Sequence, residues 1–130
     1  MSAPIGQIAW VYTGELADTV AFYRDVLGLS VARDAGAAVI LETAPGAFIG
    51  VCRAFADRVV QPEGGMITIL VDGIGAVDAW YARIVAAGAP TRGAPERLDR
   101  FAIYSFFCMD PNGYAIEVQT FLDGRTLPTT

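Results

Sequence analysis

The chain has 130 residues, 54% of them apolar, and a formal charge of −5. That length suits one domain with a core large enough to stand without staples, and no apolar run reaches the roughly 18 residues of a membrane span. All nine cationic side chains are Arg and there is no His. A basic nucleic-acid footprint is therefore absent, and so is the commonest general base and transition-metal ligand. The acidic balance favours cationic ligands over polyanions, or simply keeps the chain soluble. The first residues form neither a basic n-region nor a long apolar h-region, so no export signal is read and the default compartment is the cytoplasm.

In chain order, residues 5–12 form an apolar, strand-like run. Leu16, Val20, Tyr23 and Leu27 then recur at helical spacing and predict one buried stripe. Gly28 closes this helix as a residue able to enter the left-handed region. Three short strands are expected next, at 29–33, 37–42 and 47–53, punctuated by Gly36 and by Pro45-Gly46. Residues 54–65 are a polar connection. The pattern then restarts with a strand at 66–72 and a second helical stripe, Ile74, Val77, Tyr81 and Ile84, closed by Gly88. A short strand at 90–92, a longer one at 101–108, the turn Asp110-Pro111-Asn112-Gly113 and a last strand at 114–121 complete it. Cys52 and Cys108 stand in apolar runs without CxxC spacing and are read as two buried thiols rather than a disulfide.

The two halves align on each other. Gly28 and Gly88 lie 60 residues apart, and residues 46–51 match 113–118 at an offset of 67. Order, helix ends and turns agree, which points to a duplicated strand–helix–three-strand module. The expected fold is α+β, one domain over residues 1–130. Two tandem βαβββ modules, about 5–53 and 66–121, are joined by linker 54–65 and form a curved mixed sheet around a cleft. Helices cover one face of such a sheet, and the other face must find a ligand or partner.

Phe22–Leu29 reads FYRDVLGL and Asp110–Val118 reads DPNGYAIEV. With the duplicated module, these segments resemble the vicinal-oxygen-chelate superfamily of glyoxalases, extradiol dioxygenases and bleomycin-resistance proteins, over nearly the whole chain. The resemblance implies a metal held by first-strand and last-strand ligands from both modules, acting as a Lewis acid on vicinal substrate oxygens. Carried across, those positions fall on Gln7, Gly50, Met66 and Glu117. Gln7 and Glu117 suit the pattern. Met66 stands where His is expected and Gly50 where Glu is expected. Two oxygen donors fall short of the three or four protein ligands such sites use, so no cofactor and no tightly bound metal is expected.

Strand alternation groups Gln7 with Phe48, Gly50 and Cys52, and with Met66, Thr68, Glu117 and Gln119, as one mostly apolar ligand-binding floor. Glu117 is the candidate catalytic residue. It is a general base, an anchor for a cationic or hydroxyl-bearing ligand, or a structural remnant bonded to Gln7. Arg97 and Arg100 lie in a polar stretch, either folded over the cleft mouth around an anion or solvated. Trp10, Trp80 and Tyr81 are read as core. The expected function is binding of a small, partly apolar or cationic molecule in a metal-free cleft. The alternative is a glyoxalase-type lyase, isomerase or dioxygenase with an unusual site centred on Glu117 and Gln7, and a divalent metal enters only with it. The expected partners are a small-molecule ligand and, by the commonest symmetry, a second copy in a C2 homodimer; neither nucleic acid nor membrane is expected.

Overall fold

The computed structural model describes residues 2–124 and residue 127. It divides into two compact units. The first runs to Gly65 and takes in Asp110–Tyr114; the second comprises Met66–Met109 and the chain from Ala115 onward.

In the first unit, β1 (Gln7–Thr13) leads into α1 (Leu16–Ala21), a π-helical turn (Phe22–Val26), β2 (Ser30–Asp34), β3 (Ala38–Ala44) and β4 (Ala47–Arg53). The sheet order is β1-β4-β3-β2. β1 runs parallel to β4 and the other pairs are antiparallel. The predicted stripe Leu16, Val20, Tyr23 and Leu27 is buried throughout. Its last turn departs from α geometry, because the Leu27 amide bonds five residues back to the Phe22 carbonyl at 3.0 Å. Gly28, at φ 76°, then ends the helix in the region a side chain would strain. The stripe packs with Val11, Val39, Leu41, Ile49 and Val51, all nearly inaccessible to water. Each such aliphatic side chain contributes about 1.5–3 kcal/mol on burial.

The second unit repeats the pattern. It contains β5 (Met66–Leu70), α2 (Ile74–Ala86), β6 (Glu96–Leu98), a 3-10 turn (Asp99–Phe101), β7 (Ile103–Met109) and β8 (Ala115–Phe121). The order is β5-β8-β7-β6, again with the first and last strands parallel. Val77 and Ile84 of α2 are fully buried, and Tyr81 stacks edge-on against Phe106 at 5.3 Å. Ile74 is the one member of that stripe left largely exposed. Both units are thus α+β modules around four-stranded mixed sheets, with the same topology.

One strand lies elsewhere than the sequence predicts. Residues 90–92 make only an isolated bridge, Thr91 with Cys108, and β6 forms instead at Glu96–Leu98 against Ile103–Ser105. Gly93 at φ 102° turns the chain out of the first path, and Ala102 at φ 54° turns it back into β7. No helix among the described residues is long and apolar enough to cross a membrane.

Candidate functional site

The two motifs that carry the resemblance meet inside the first unit. Tyr23 of FYRDVLGL donates its hydroxyl to Oδ2 of Asp110 of DPNGYAIEV at 2.8 Å. Oδ1 of Asp110 accepts from the amides of Asn112 at 2.8 Å and Tyr114 at 3.0 Å. Asp110 is 3% exposed. Burial pushes its carboxyl above the ordinary range, against the pull of Tyr23 and the backbone amides. Beside it, Thr13 donates to Oδ1 of Asn112 at 3.2 Å, Asn112 donates to the Thr19 hydroxyl at 3.0 Å, and the two threonine hydroxyls lie 2.9 Å apart. These side chains satisfy one another's hydrogen bonds and tie the two motifs together.

In the second unit, Tyr104 bonds Asp78 of α2 at 2.6 Å, which places α2 over the face bearing Tyr104, Phe106 and Cys108. Glu117 lies on the opposite face. Its register partners are Thr68 on β5 and Phe107 on β7, while Gln119 pairs Leu70 and Ser105. Glu117 is 3% exposed. Thr68 donates to Oε1 at 2.7 Å. With its amide nitrogen turned inward, Gln119 donates to Oε1 at 3.0 Å and to Oε2 at 3.3 Å. Glu117, Thr68 and Gln119 therefore form one cluster, with Met66, 58% exposed, on the same face. Ser105 adds a buried hydroxyl that has no hydrogen-bond partner among the described residues. Sequence reasoning missed Ser105; strand parity once β7 is paired with β8 is the signal that finds it.

The first unit corrects the predicted grouping. Thr13 bonds Thr19 of α1, so α1 lies over the face of Val11 and Thr13. Alternation puts Gln7 on that face, and its register partner is Ala47. Phe48, Gly50 and Cys52 pair instead with Ile8, Trp10 and Tyr12, on the open face. The error is one of parity: strands read correctly from the sequence still need a register to say which residues are neighbours. Trp10 is accordingly not core. Its indole lies against Gly50, where an added Cβ would overlap ring atoms Cε3 and Cζ3, and it stays 40% exposed. The missing side chain at Gly50 thus makes room for an aromatic ring. Cys52 is half-buried, and neither Cys52 nor Cys108 is in a disulfide.

Two concavities flank this open face of the first unit. One, of about 500 Å³, lies at the start of β1, with Ile5, Gln7, Ile8, Ile40 and Phe48 in its walls and Arg33 at its side. The other, of about 350 Å³, lies between Trp10, Tyr12 and Tyr114 and the connection carrying Asp57, Arg58 and Glu63. The Tyr114 hydroxyl pins that connection by accepting from the Gln61 amide at 3.0 Å.

Among the described residues, no group of three or more His, Cys, Asp or Glu side chains could hold a metal ion. The polar partners of Glu117 are a hydroxyl and an amide, and Gly50 and Met66 offer no hard donor. This donor set does not fit a catalytic divalent metal. Arg97 is paired in register with Tyr104, hence on the α2 face and away from Glu117, with Asp99 3.5 Å from its Nε. Arg100 lies 5.3 Å over the Phe101 ring.

Two four-stranded mixed sheets, each led by a parallel first-to-last strand pair and backed by one helix, define the glyoxalase-like class of α+β proteins. The family model of the Glyoxalase/Bleomycin resistance protein/Dioxygenase superfamily matches residues 5–118, and the chain belongs to that superfamily. Solved structures agree on the fold. A glyoxalase/bleomycin resistance protein/dioxygenase from Nocardioides is 18% identical with a TM-score of 0.77, over 100% of this chain and 91% of that one. A lactoylglutathione lyase from Agrobacterium tumefaciens is 25% identical with a TM-score of 0.72, over 87% and 90%. TioX from Micromonospora sp. ML1 is 18% identical with a TM-score of 0.71, over 90% and 98%. No curated protein matches the sequence.

Proposed function

We propose that this member of the superfamily binds a small, partly apolar organic molecule on the open face of its first sheet and does so without chelating a metal. The observation that carries this reading is the apolar groove at the start of β1, whose volume of about 500 Å³ falls in the range of small-molecule sites. The Trp10 ring laid on Gly50 supports it, since a stacking surface occupies a position where the superfamily pattern wants a ligand side chain. Phe48 and Gln7, which line the groove, and Cys52 farther along the open face of the same unit are the proposed contacts. A C2 homodimer is proposed as the assembly, and a monomeric mass by light scattering at tens of micromolar would contradict it.

A second reading has its own support. Glu117 is a buried carboxyl held by Thr68 and Gln119 beside the Ser105 hydroxyl, which has no partner among the described residues, an arrangement that suits a general base. One of the similar structures is a lyase, and a glyoxalase-type lyase or isomerase centred on Glu117 is the alternative. Thermal-shift screening against apolar small molecules, with and without chelator, separates the two. A ligand at 100 times its dissociation constant adds about 2.7 kcal/mol of stability. A shift unchanged by chelator supports binding. A shift that needs divalent metal and disappears in Glu117→Ala overturns it in favour of the enzyme.

A further inference from the structure

The groove at the start of β1 has a charge, and a backbone irregularity puts it there. Along β2, Ser30 pairs with Glu42 and Val31 with Leu41, but Arg33 pairs with Ile40 because the register shifts between Val31 and Arg33. Without that bulge Arg33 would stand opposite Val39, whose side chain is buried on the α1 face. With it, Arg33 joins Ile40 on the open face and enters the wall of the groove. Bulges re-aim a side chain in this way beside functional sites.

Among the described residues, Arg33 is the only ionised side chain lining the groove; Ile5, Ile8, Ile40 and Phe48 supply its apolar surface. Its guanidinium has no ion pair or hydrogen bond among the described residues, whereas Arg24, Arg58 and Arg97 each lie beside a carboxylate. The adjacent carboxylate, Asp34, is turned to the Gly36 amide at 2.9 Å. Glu42 shares the open face but stands outside the groove lining. A planar guanidinium beside apolar walls matches a carboxylate on an apolar body, with two parallel hydrogen bonds available.

We propose that the groove takes a small organic anion, a carboxylic acid with an apolar body, and that Arg33 selects its charge. This refines the binding reading above and rests on it, and it reverses the sign of charge that the net composition suggested.

The test measures binding of octanoate, 1-octanol and octylamine to the full chain by calorimetry, at low ionic strength and below micellar concentrations. Octanoate is expected to bind roughly 2- to 5-fold tighter than octanol, the range of one favourable but exposed charge pair, and tighter than octylamine. Arg33→Gln should reduce octanoate to the octanol level while leaving octanol unchanged. Arg33→Glu should turn the preference to octylamine. Ile8→Gln should weaken all three. If octanoate binds no better than octanol or octylamine, or Arg33→Gln changes nothing, the anion assignment fails and the groove stands. If none of the three binds, or Ile8→Gln is without effect, the groove is not the site and both readings fall.

Discussion

Replacing Tyr23 by Phe removes a buried hydroxyl that bonds Asp110. The Tyr23 side chain is fully buried, and its hydroxyl is the donor to Oδ2 of Asp110 at 2.8 Å. A hydrogen bond to a charged group is worth about 1.5–3 kcal/mol, so a loss of about 2 kcal/mol is expected. With an unfolding entropy of ~2.1 cal/mol/K per residue, that lowers the melting temperature by about 7 °C. The pH dependence is the sharper part. Burial raises the folded pKa of Asp110 above its ordinary 3.8, so the native state binds this proton more tightly than the unfolded chain does. Stability from this group therefore grows as pH falls through the folded value and levels off below the unfolded one. Tyr23 favours the ionised carboxylate and opposes the shift. Its removal should cost most at pH 8 and less at pH 4, where Asp110 is taking up its proton and only a neutral bond of about 1 kcal/mol is at stake. Urea unfolding of wild type, Tyr23→Phe, Asp110→Asn and the double variant at both pH values supplies the cycle. A penalty that is constant or grows toward pH 4, or a coupling below about 0.5 kcal/mol at pH 8, refutes the reasoning.

Ser105→Ala deletes a buried hydroxyl that has no partner among the described residues and should leave stability unchanged or raise it by about 1 kcal/mol; a loss above 1 kcal/mol in denaturant melts would mean the hydroxyl is satisfied. Glu117→Ala strands Thr68 and Gln119 in a buried site and should cost about 2–4 kcal/mol, which the same melts measure. Gly50→Ala forces the Trp10 ring off the sheet; a destabilisation of about 1–3 kcal/mol and a shifted emission, read in a Trp80→Phe background, are expected, and unaltered emission would show that the ring does not lie there.

Much of the fold is legible in the chain because it rests on local rules. The stripe from Leu16 to Leu27 and the Gly28 stop specify a helix wherever they occur, and all four stripe residues are buried. The repeated order of strand, helix and three strands emerges with identical sheet topology in both halves. The strand misplaced at residues 90–92 failed for a local reason as well, two backbone reversals at Gly93 and Ala102 that hydropathy does not reveal.

The candidate site was legible only in part. Alternation alone puts Thr68, Glu117 and Gln119 on one face, and the uninterrupted β5–β8 register leaves them there. Gln7 pairs with Ala47 and not with the Phe48 face, because nothing in the residues of β1 and β4 states their relative register, and a shift of one residue exchanges the two faces. The same register turns Trp10 out of the core.

By itself the sequence determined the duplicated α+β module, its superfamily and the shortage of metal ligands, since these follow from periodicity, turn chemistry and residue type. Only the tertiary structure decided which side chains meet: the Tyr23–Asp110 bond, the indole on Gly50, and the bulge that carries Arg33 to the open face. Each depends on how one strand or turn is laid against another, and that pairing is a property of no single segment.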